Sequence, residues 1–159
     1  MKGIIIENIS NLYQVKSFEN DNIYESNARG KFKKEEIRPV VGDRVEISII
    51  EEKEKKGVIE KIEERTVYIK RPKLANMTQI VFVVSSKDPK PDLLMLDKQL
   101  AFAEYLRIKA IIVLNKTDLD KKQEFKEIKK VYQNIGYNVI ETNAKERIGI
   151  DKLKELLKG

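Results

Sequence analysis

The stretch KAIIVLNKTD, residues 109–118, decides the fold of the C-terminal half of this chain. Its first six residues are nearly all apolar and a polar loop follows directly, which is typical of a strand buried on both faces of a parallel sheet. The run QIVFVVS at residues 79–85 has the same character. A third short strand is predicted at residues 138–140, and apolar residues at helical spacing separate the three runs. The alternation predicts a parallel α/β unit with right-handed crossovers.

The predicted helices of this unit follow the strands in turn. Asp92 opens the first helix, where its carboxylate lies near the positive end of the helix dipole. The apolar residues that mark the helices are Leu93, Leu96, Leu100 and Ala103 in the first, Phe125, Ile128, Tyr132 and Ile135 in the second, and Ile150, Leu153 and Leu157 in the last.

Residues 1–63 instead have the shorter period of strands. The apolar residues of five predicted strands are Ile4 to Ile6; Tyr13, Val15 and Phe18; Ile23 and Tyr24; Val45, Ile47 and Ile49; and Val58, Ile59 and Ile62. Five strands in so few residues favour a five-stranded oligonucleotide/oligosaccharide-binding (OB) barrel, because closure removes exposed edges. Periodicity alone also allows another small barrel. We therefore predict a barrel domain at 1–70 and a partial α/β domain at 76–159.

Composition excludes several chemistries. The 159 residues include 32 Lys+Arg and 26 Asp+Glu but neither Cys nor His, so we expect no zinc site, thiol nucleophile or histidine base. The longest apolar runs, 80–84 and 110–114, are far shorter than the roughly 20 residues that span a bilayer. The first ten residues lack the apolar region of about 7 to 15 residues that a signal peptide needs. These features predict a cytoplasmic protein.

The loop Asn115-Lys116-Thr117-Asp118 follows the second buried strand, where ligand sites of parallel sheets form. A carboxylate accepts two parallel hydrogen bonds, so Asp118 suits the N1–H and exocyclic amine of guanine and disfavours adenine. Lys116 can lay its methylene stem along the purine, with its ammonium solvated or at the ribose. Asn115 can brace the loop and reach the purine N7. These residues predict a guanine site.

A second loop supports the same interpretation. Thr142-Asn143-Ala144-Lys145 follows the third strand, and a backbone N–H of Ala144 or Lys145 can donate to the guanine O6. The predicted guanine-binding residues are Asn115, Lys116, Asp118, Asn143, Ala144 and Lys145. The alternative is a plain turn in which Asp118 or Thr117 caps the helix that holds Phe125.

Positive charge clusters in two places. The first cluster holds Arg29, Lys31, Lys33, Lys34 and Arg38 against two glutamates, and the second, residues 65–73, holds four basic residues and no acid. If residues 30–34 continue a strand, the basic residues share one face and Phe32 points to the core; if they form a loop, Phe32 is free to stack on a base. The candidate RNA-binding residues are Arg29, Lys31, Phe32, Lys33, Lys34, Arg38 and Arg71.

The ordered set of motifs resembles the ribosome small subunit-dependent GTPase A family, which consists of circularly permuted GTPases with an N-terminal OB domain. The motifs are RGKF at 29–32, PVVGDRV at 39–45, RPKLAN at 71–76, NKTD at 115–118 and NAK at 143–145. In that family the guanine-specificity loops come first in the GTPase domain and the phosphate-binding loop comes after them. The order of the motifs in this chain agrees with that arrangement. The resemblance implies GTP or GDP binding, GTP hydrolysis, and the small ribosomal subunit with its ribosomal RNA as partners.

The chain also departs from the family. No G-x-x-x-x-G-K-[ST] motif is present, and Asn143 stands where the family more often has Ser. By resemblance, the phosphate loop, Mg²⁺ and a structural Zn²⁺ belong to the complete protein, so we expect this chain to be an N-terminal portion that does not hydrolyse GTP by itself. The strand at 79–85 would then have a bare edge, which predicts either self-association through it or a disordered or non-native C-terminal half. The alternative is a standalone OB-fold RNA-binding module with a non-catalytic α/β scaffold.

Overall fold

The computed structural model of the chain describes residues 1–30, 32, 37–121 and 123–158. They divide into two units, Met1–Met77 and Thr78–Gly159. The predicted fold class is confirmed: a closed five-stranded barrel is followed by a parallel α/β sheet. None of the helices in the described ranges has the length and apolar character needed to cross a membrane.

The barrel contains all five predicted strands in the order β1-β2-β3-β5-β4, with β4 pairing back on β1. Only the β3–β5 pair is parallel among the ladders of this barrel. The strands are β1 (Lys2–Ile9), β2 (Leu12–Ser17), β3 (Ile23–Ala28), β4 (Arg44–Glu51) and β5 (Lys56–Ile62).

The turn between β1 and β2 has two residues, Ser10 and Asn11, both with positive φ (52° and 70°). Positive φ at both central positions is the signature of a type I′ turn, whose twist matches that of the flanking strands. The strand pairing continues to Ile9 opposite Leu12, directly beside the turn.

The barrel interior follows the period-two pattern of the sequence. Its buried residues are Ile5, Tyr13, Val15, Tyr24, Phe32, Val45, Ile47 and Ile59. Strand β3 ends at Ala28, so Arg29 lies outside it. Phe32 is nevertheless only 6% exposed and packs in this core. Phe32 also lines a cleft at the end of the barrel, and its contact with RNA stays a prediction.

A short hairpin that the sequence analysis did not predict completes the first unit. Its strands are β6 (Tyr68–Lys70) and β7 (Lys73–Ala75). The amide of Ala75 donates to the carbonyl of Val41 at 2.9 Å. A Cβ on Gly42, whose φ is +89°, would lie 2.0 Å from the carbonyl oxygen of Ala75. Glycine is needed there both for the backbone conformation and for the close approach of the hairpin.

The buried carboxylate of Asp43 links the barrel to the segment before this hairpin. Asp43 is fully buried and accepts hydrogen bonds from the amide of Val40 (2.8 Å) and from Arg65 Nε and Nη2 (2.7 and 2.8 Å). Arg65 Nη2 also donates to the carbonyl of Arg38, and its guanidinium lies 4.6 Å from the Tyr68 ring centroid. The charge is thus paired and its oxygens are satisfied, as burial requires.

The second unit is a three-stranded parallel sheet in the order β10-β9-β8. Its elements are β8 (Gln79–Ser85), α1 (Leu93–Tyr105), β9 (Lys109–Asn115), a 3-10 turn (Thr117–Leu119), α2 (Glu124–Asn134), β10 (Asn138–Thr142) and α3 (Ile150–Leu157). Asp92 caps α1 as predicted, accepting the amide of Met95 at 2.9 Å.

The strands of this sheet differ in burial. The central strand β9 is buried from Ala110 to Leu114, as predicted. The prediction that Gln79–Ser85 is buried on both faces is wrong, because Val83 is 63% exposed. Strand β8 lies at the edge of the described sheet, so one of its faces is incompletely covered.

Candidate functional site

The two polar loops predicted to form a site lie side by side at the carboxyl ends of β9 and β10. The parallel register places Thr142 opposite Asn115, the last residues of the two strands. Asn115 Oδ1 accepts hydrogen bonds from Thr142 Oγ1 (3.0 Å) and from the amide of Ala144 (3.1 Å). Thr117 Oγ1 donates to the carbonyl of Thr142 at 3.3 Å. Asn115 therefore braces both loops, as predicted.

Asp118 lies in the 3-10 turn with its side chain exposed. Among the described residues its carboxylate has neither a hydrogen bond nor an ion pair. The helix-capping alternative for Asp118 or Thr117 is wrong, because a different residue bonds the start of α2. Asp120 accepts the amides of Glu124 (2.9 Å) and Phe125 (3.0 Å) through its two carboxylate oxygens. Asp118 thus keeps its acceptor capacity for another partner.

Lys116 adopts a left-handed conformation with φ of 63°, which turns the chain sharply at the end of β9. Its ammonium donates to the carbonyls of Lys87 (3.1 Å) and Asp88 (2.5 Å). Both contacts are exposed, and the expectation of a solvated or ribose-bound ammonium stays a prediction. Ser86 Oγ also donates to the carbonyl of Lys116 at 2.6 Å, so residues 86–88 hold the loop from a third strand end.

The second loop is closed by Asn143, which is only 3% exposed. Its backbone exchanges hydrogen bonds with Ile148 at 3.0 and 3.1 Å, and its Oδ1 accepts the amide of Glu146 at 3.3 Å. The amide of Ala144 donates to Asn115 Oδ1, and its role as a donor to a purine stays a prediction. In the part of the chain that is described, the Lys145 amide has no such partner and is the donor that remains.

The free groups at this edge match the pattern of a guanine base. The Asp118 carboxylate is an acceptor pair, while the Lys145 amide and the Asn115 Nδ2 amide are donors that no described group engages. Guanine presents two neighbouring donors, N1–H and the exocyclic amine, and two acceptors, O6 and N7. Adenine offers no proton at N1, so a base held by Asp118 through two hydrogen bonds has to be guanine-like.

The candidate RNA-binding residues occupy separate places on the first unit. Arg29 forms an ion pair with Glu60, with 2.8 Å between Nε and Oε2. Arg38 is exposed, and both arginines border one cleft at an end of the barrel. Arg71 lies in the exposed turn of the β6–β7 hairpin and is not among the described lining residues of that cleft. Lys31, Lys33 and Lys34 lie outside the described residues.

Several residues at these sites were missed by sequence reasoning. The bracing roles of Ser86 and Asp120 have no signal in the sequence beyond a polar residue in a loop. Tyr13 reads as an ordinary core residue of β2, and only the barrel shows that it lines the cleft. The exposed Asn11 and Asn27 lie beside it and belong to no motif.

Comparisons with known proteins identify the family of this chain. Residues 62–159 match the family model described as RsgA GTPase, and residues 2–59 match that described as RsgA N-terminal domain. The small ribosomal subunit biogenesis GTPase RsgA of Clostridium botulinum (strain Hall) is 44% identical over 158 residues, which are 99% of this chain and 53% of that protein. The RsgA of Ruminiclostridium cellulolyticum is 41% identical over 157 residues, 99% of this chain and 51% of that protein.

Two solved structures are similar over the whole chain. YjeQ from Thermotoga maritima superposes with a TM-score of 0.86 at 32% identity and covers 99% of this chain and 57% of its own. YloQ, described as a circularly permuted GTPase, gives a TM-score of 0.79 at 33% identity, with 98% and 55% coverage. The chain thus spans about half the length of the relatives it matches.

Proposed function

Because this chain belongs to the RsgA GTPase family, we propose that it provides the guanine-binding and RNA-binding half of a GTPase that acts in late maturation of the small ribosomal subunit. Residues 1–70 are the RNA-binding domain and residues 76–159 the part of the GTPase domain that recognises the base. The partners are a guanine nucleotide and the ribosomal RNA of the small subunit, and the protein acts in the cytoplasm.

The observation that carries this proposal is the carboxylate of Asp118, which has no partner among the described residues and lies beside a helix that Asp120 already caps. An aspartate in the loop after a strand end is placed where ligands bind in parallel sheets. In the proposed complex Asp118 accepts from N1–H and the exocyclic amine, the Lys145 amide donates to O6, and Asn115 Nδ2 donates to N7.

The roles of the other site residues follow from their contacts. Asn143 shapes the second loop and does not touch the base. The Lys116 ammonium stays on the carbonyls of Lys87 and Asp88, which leaves its methylene stem to lie along the purine face. Adenine would leave the Asp118 carboxylate without its two donors, an outcome that can cost several kcal/mol of binding free energy.

Hydrolysis is proposed for the complete protein and not for these 159 residues alone. The sequence contains no phosphate-binding loop, so it supplies neither the backbone cradle for the β- and γ-phosphates nor the Ser/Thr that holds Mg²⁺. It also has no Cys or His for a zinc site. The residues present fit a guanine base but neither metal, and this chain alone is expected to be inactive as a hydrolase.

The test is base selectivity measured by titration calorimetry or by NMR shifts, with GDP, ADP and XDP as ligands. The wild-type chain should bind GDP in preference to ADP. Asp118→Asn should shift preference from GDP toward XDP, because it exchanges an acceptor for a donor. Asp151→Asn is the matched control, since Asp151 is also exposed in this unit but lies in α3. Equal GDP preference in Asp118→Asn and Asp151→Asn would refute the base site.

A standalone RNA-binding module is the second candidate, and the closure of the barrel within the first unit favours it. Under this alternative the α/β unit is only a scaffold. Salt-sensitive RNA binding would then be lost on Arg38→Ala or Lys31→Ala but would be unaffected by Asp118→Ala or by added GDP. Linkage between GDP and RNA binding in the complete protein would exclude it.

A further inference from the structure

A cleft of about 480 Å³ lies at the end of the barrel beside the β1–β2 turn. Its polar lining comes from the turn, from the end of β3 and from the segment that leads to β4. The residues that matter below are Asn11, Tyr13, Asn27, Arg29 and Arg38. A smaller hollow of about 240 Å³ shares Asn11, Tyr13 and Arg38 and extends the cleft toward Lys73.

Two tyrosines lie inside the barrel, and their hydroxyl groups differ in hydrogen bonding. Tyr24 is fully buried, donates to Glu52 Oε1 at 2.9 Å and accepts from Asn20 Nδ2 at 3.0 Å. Tyr13 is 2% exposed, yet its hydroxyl has no hydrogen-bond partner among the described residues. A phenylalanine at position 13 would fill the same core, so packing of the barrel does not itself require the hydroxyl group.

The Tyr13 hydroxyl faces the cleft. No side-chain polar atom in the described part of the chain is both enclosed and unbonded, so this hydroxyl must reach the cleft that Tyr13 lines. Burial raises the pKa of Tyr13 above its usual value, opposed by the nearby charge of Arg38 and reinforced by that of Asp43. The phenol is therefore protonated at neutral pH and can donate a hydrogen bond.

Two cations and two amides line the same cleft as this hydroxyl. Arg38 is exposed and its backbone is fixed by the bond from Arg65 Nη2 to its carbonyl at 2.8 Å. Arg29 is paired with Glu60 only through its Nε in the described contacts, so its terminal nitrogens can bind an anion. Asn11 and Asn27 are exposed and offer both donors and acceptors.

We propose that this cleft binds one unpaired nucleotide of single-stranded RNA. Arg38 and Arg29 contact its phosphate, while Tyr13 donates to the edge of its base and the amides of Asn11 and Asn27 complete the recognition. The proposal rests on the RNA-binding part of the proposed function and assigns it a base-reading site. An unpaired base is required, because in a duplex the polar edge of the base is already engaged.

The volume agrees with this class of ligand. Small-molecule sites have volumes of about 300 to 1,000 Å³ and a few polar groups that fix orientation. A hydroxyl group that faces into a cleft, as that of Tyr13 does, is typical of a ligand site rather than of a flat surface that binds a protein. Free nucleotides share the chemistry of a nucleotide within RNA, and a chain of nucleotides differs by also engaging the neighbouring basic residues.

The test is fluorescence anisotropy of a labelled single-stranded RNA octamer with the full 159-residue chain and its variants. Tyr13→Phe removes only the hydroxyl and should raise the Kd about threefold to tenfold. Arg38→Ala should raise it about tenfold and reduce the dependence of binding on salt. Tyr24→Phe is the matched control: it removes the other interior hydroxyl, at a place remote from the cleft lining, and should leave the Kd unchanged. Far-UV circular dichroism checks that each variant is folded.

The outcomes separate the cleft from the broader proposal. Failure of the wild-type chain to bind any single-stranded RNA would overturn both the RNA-binding function and the cleft. Equal Kd values for Tyr13→Phe and Tyr24→Phe, with RNA binding intact, would overturn the cleft alone. A duplex of equal length or free UMP that binds as tightly as the octamer would overturn the assignment to single-stranded RNA.

Discussion

The barrel is a closed sheet without an edge strand, whereas the described α/β sheet is open. Every strand of the barrel pairs on both sides, so its backbone hydrogen bonds are made within the first unit. The described α/β sheet instead ends at β8, where Val83 is 63% exposed. A closed sheet is complete in itself, whereas an open one presents unpaired N–H and C=O groups to any partner strand. The two units should therefore respond differently to substitution.

The largest effect is expected from the buried ion pair of the closed unit. Asp43→Asn would leave the Arg65 guanidinium without its counter-charge and should lower the free energy of unfolding of the barrel by about 3 kcal/mol. The estimate is at the lower end of the range for buried pairs because the Arg65 side chain is 20% exposed. Urea denaturation followed through barrel amide signals in NMR spectra measures it.

The control for this substitution is Glu63→Gln, which breaks the exposed Lys2–Glu63 pair of 2.8 Å in the same barrel. Exposed ion pairs contribute little, since solvent and salt screen them. Similar losses of stability for Asp43→Asn and Glu63→Gln would show that Asp43 does not hold the segment before the hairpin.

A smaller loss of stability is expected in the open unit, where it should distinguish Asp120 from Asp118. Asp120→Ala removes the acceptor for the first amides of α2 and should lower the free energy of unfolding of the α/β unit by about 1 kcal/mol. Asp118→Ala should change it by less than about 0.5 kcal/mol, because no described group depends on that carboxylate. Thermal denaturation of both variants tests this, and a greater loss for Asp118→Ala would make it a structural residue.

The smallest effect on stability is expected at the sheet edge, where association changes instead. Val83→Lys should shift the free energy of unfolding by less than about 0.5 kcal/mol. It should also suppress self-association through Gln79–Ser85, since an edge lysine opposes strand pairing. Sedimentation velocity over a range of concentrations measures this.

The matched substitution for the edge is Ile50→Lys. Ile50 is 70% exposed, but its strand β4 belongs to the closed barrel, where it pairs with β5 and, at residues 44–46, with β1. We expect Ile50→Lys to leave the association state unchanged. A wild-type chain that remains monomeric at high concentration would argue against self-association through β8.

Local patterns predicted most of the architecture. Alternating residues such as Val15, Val45 and Ile47 gave the barrel core, because period two fixes which side chains point inward. The continuous apolar run of β9 gave the central strand, and the loop that follows it lies where ligands bind in α/β sheets. Asp92 capped its helix as its position before an apolar face predicts.

What the sequence did not reveal depends on contacts distant in the chain. The β6–β7 hairpin has three-residue strands and relies on the bond from Ala75 to Val41, which no local pattern encodes. The exposure of Val83 follows from strand order, which periodicity does not contain. The choice of Asp120 rather than Asp118 as the helix cap depends on the turn at Lys116, whose left-handed conformation sets the direction of the loop.

The two-residue turn at Ser10 and Asn11 limits how this barrel can vary among relatives. Side chains along a strand alternate between inside and outside, so one additional residue in that turn, with β1 unchanged, would shift β2 by a single position. Gln14 would then point inward in place of Val15, and Leu12 would lie in the cleft in place of Tyr13. The length of this turn therefore determines which residue occupies the place of Tyr13. The turn and that residue should be exchanged together when chimeric barrels are designed.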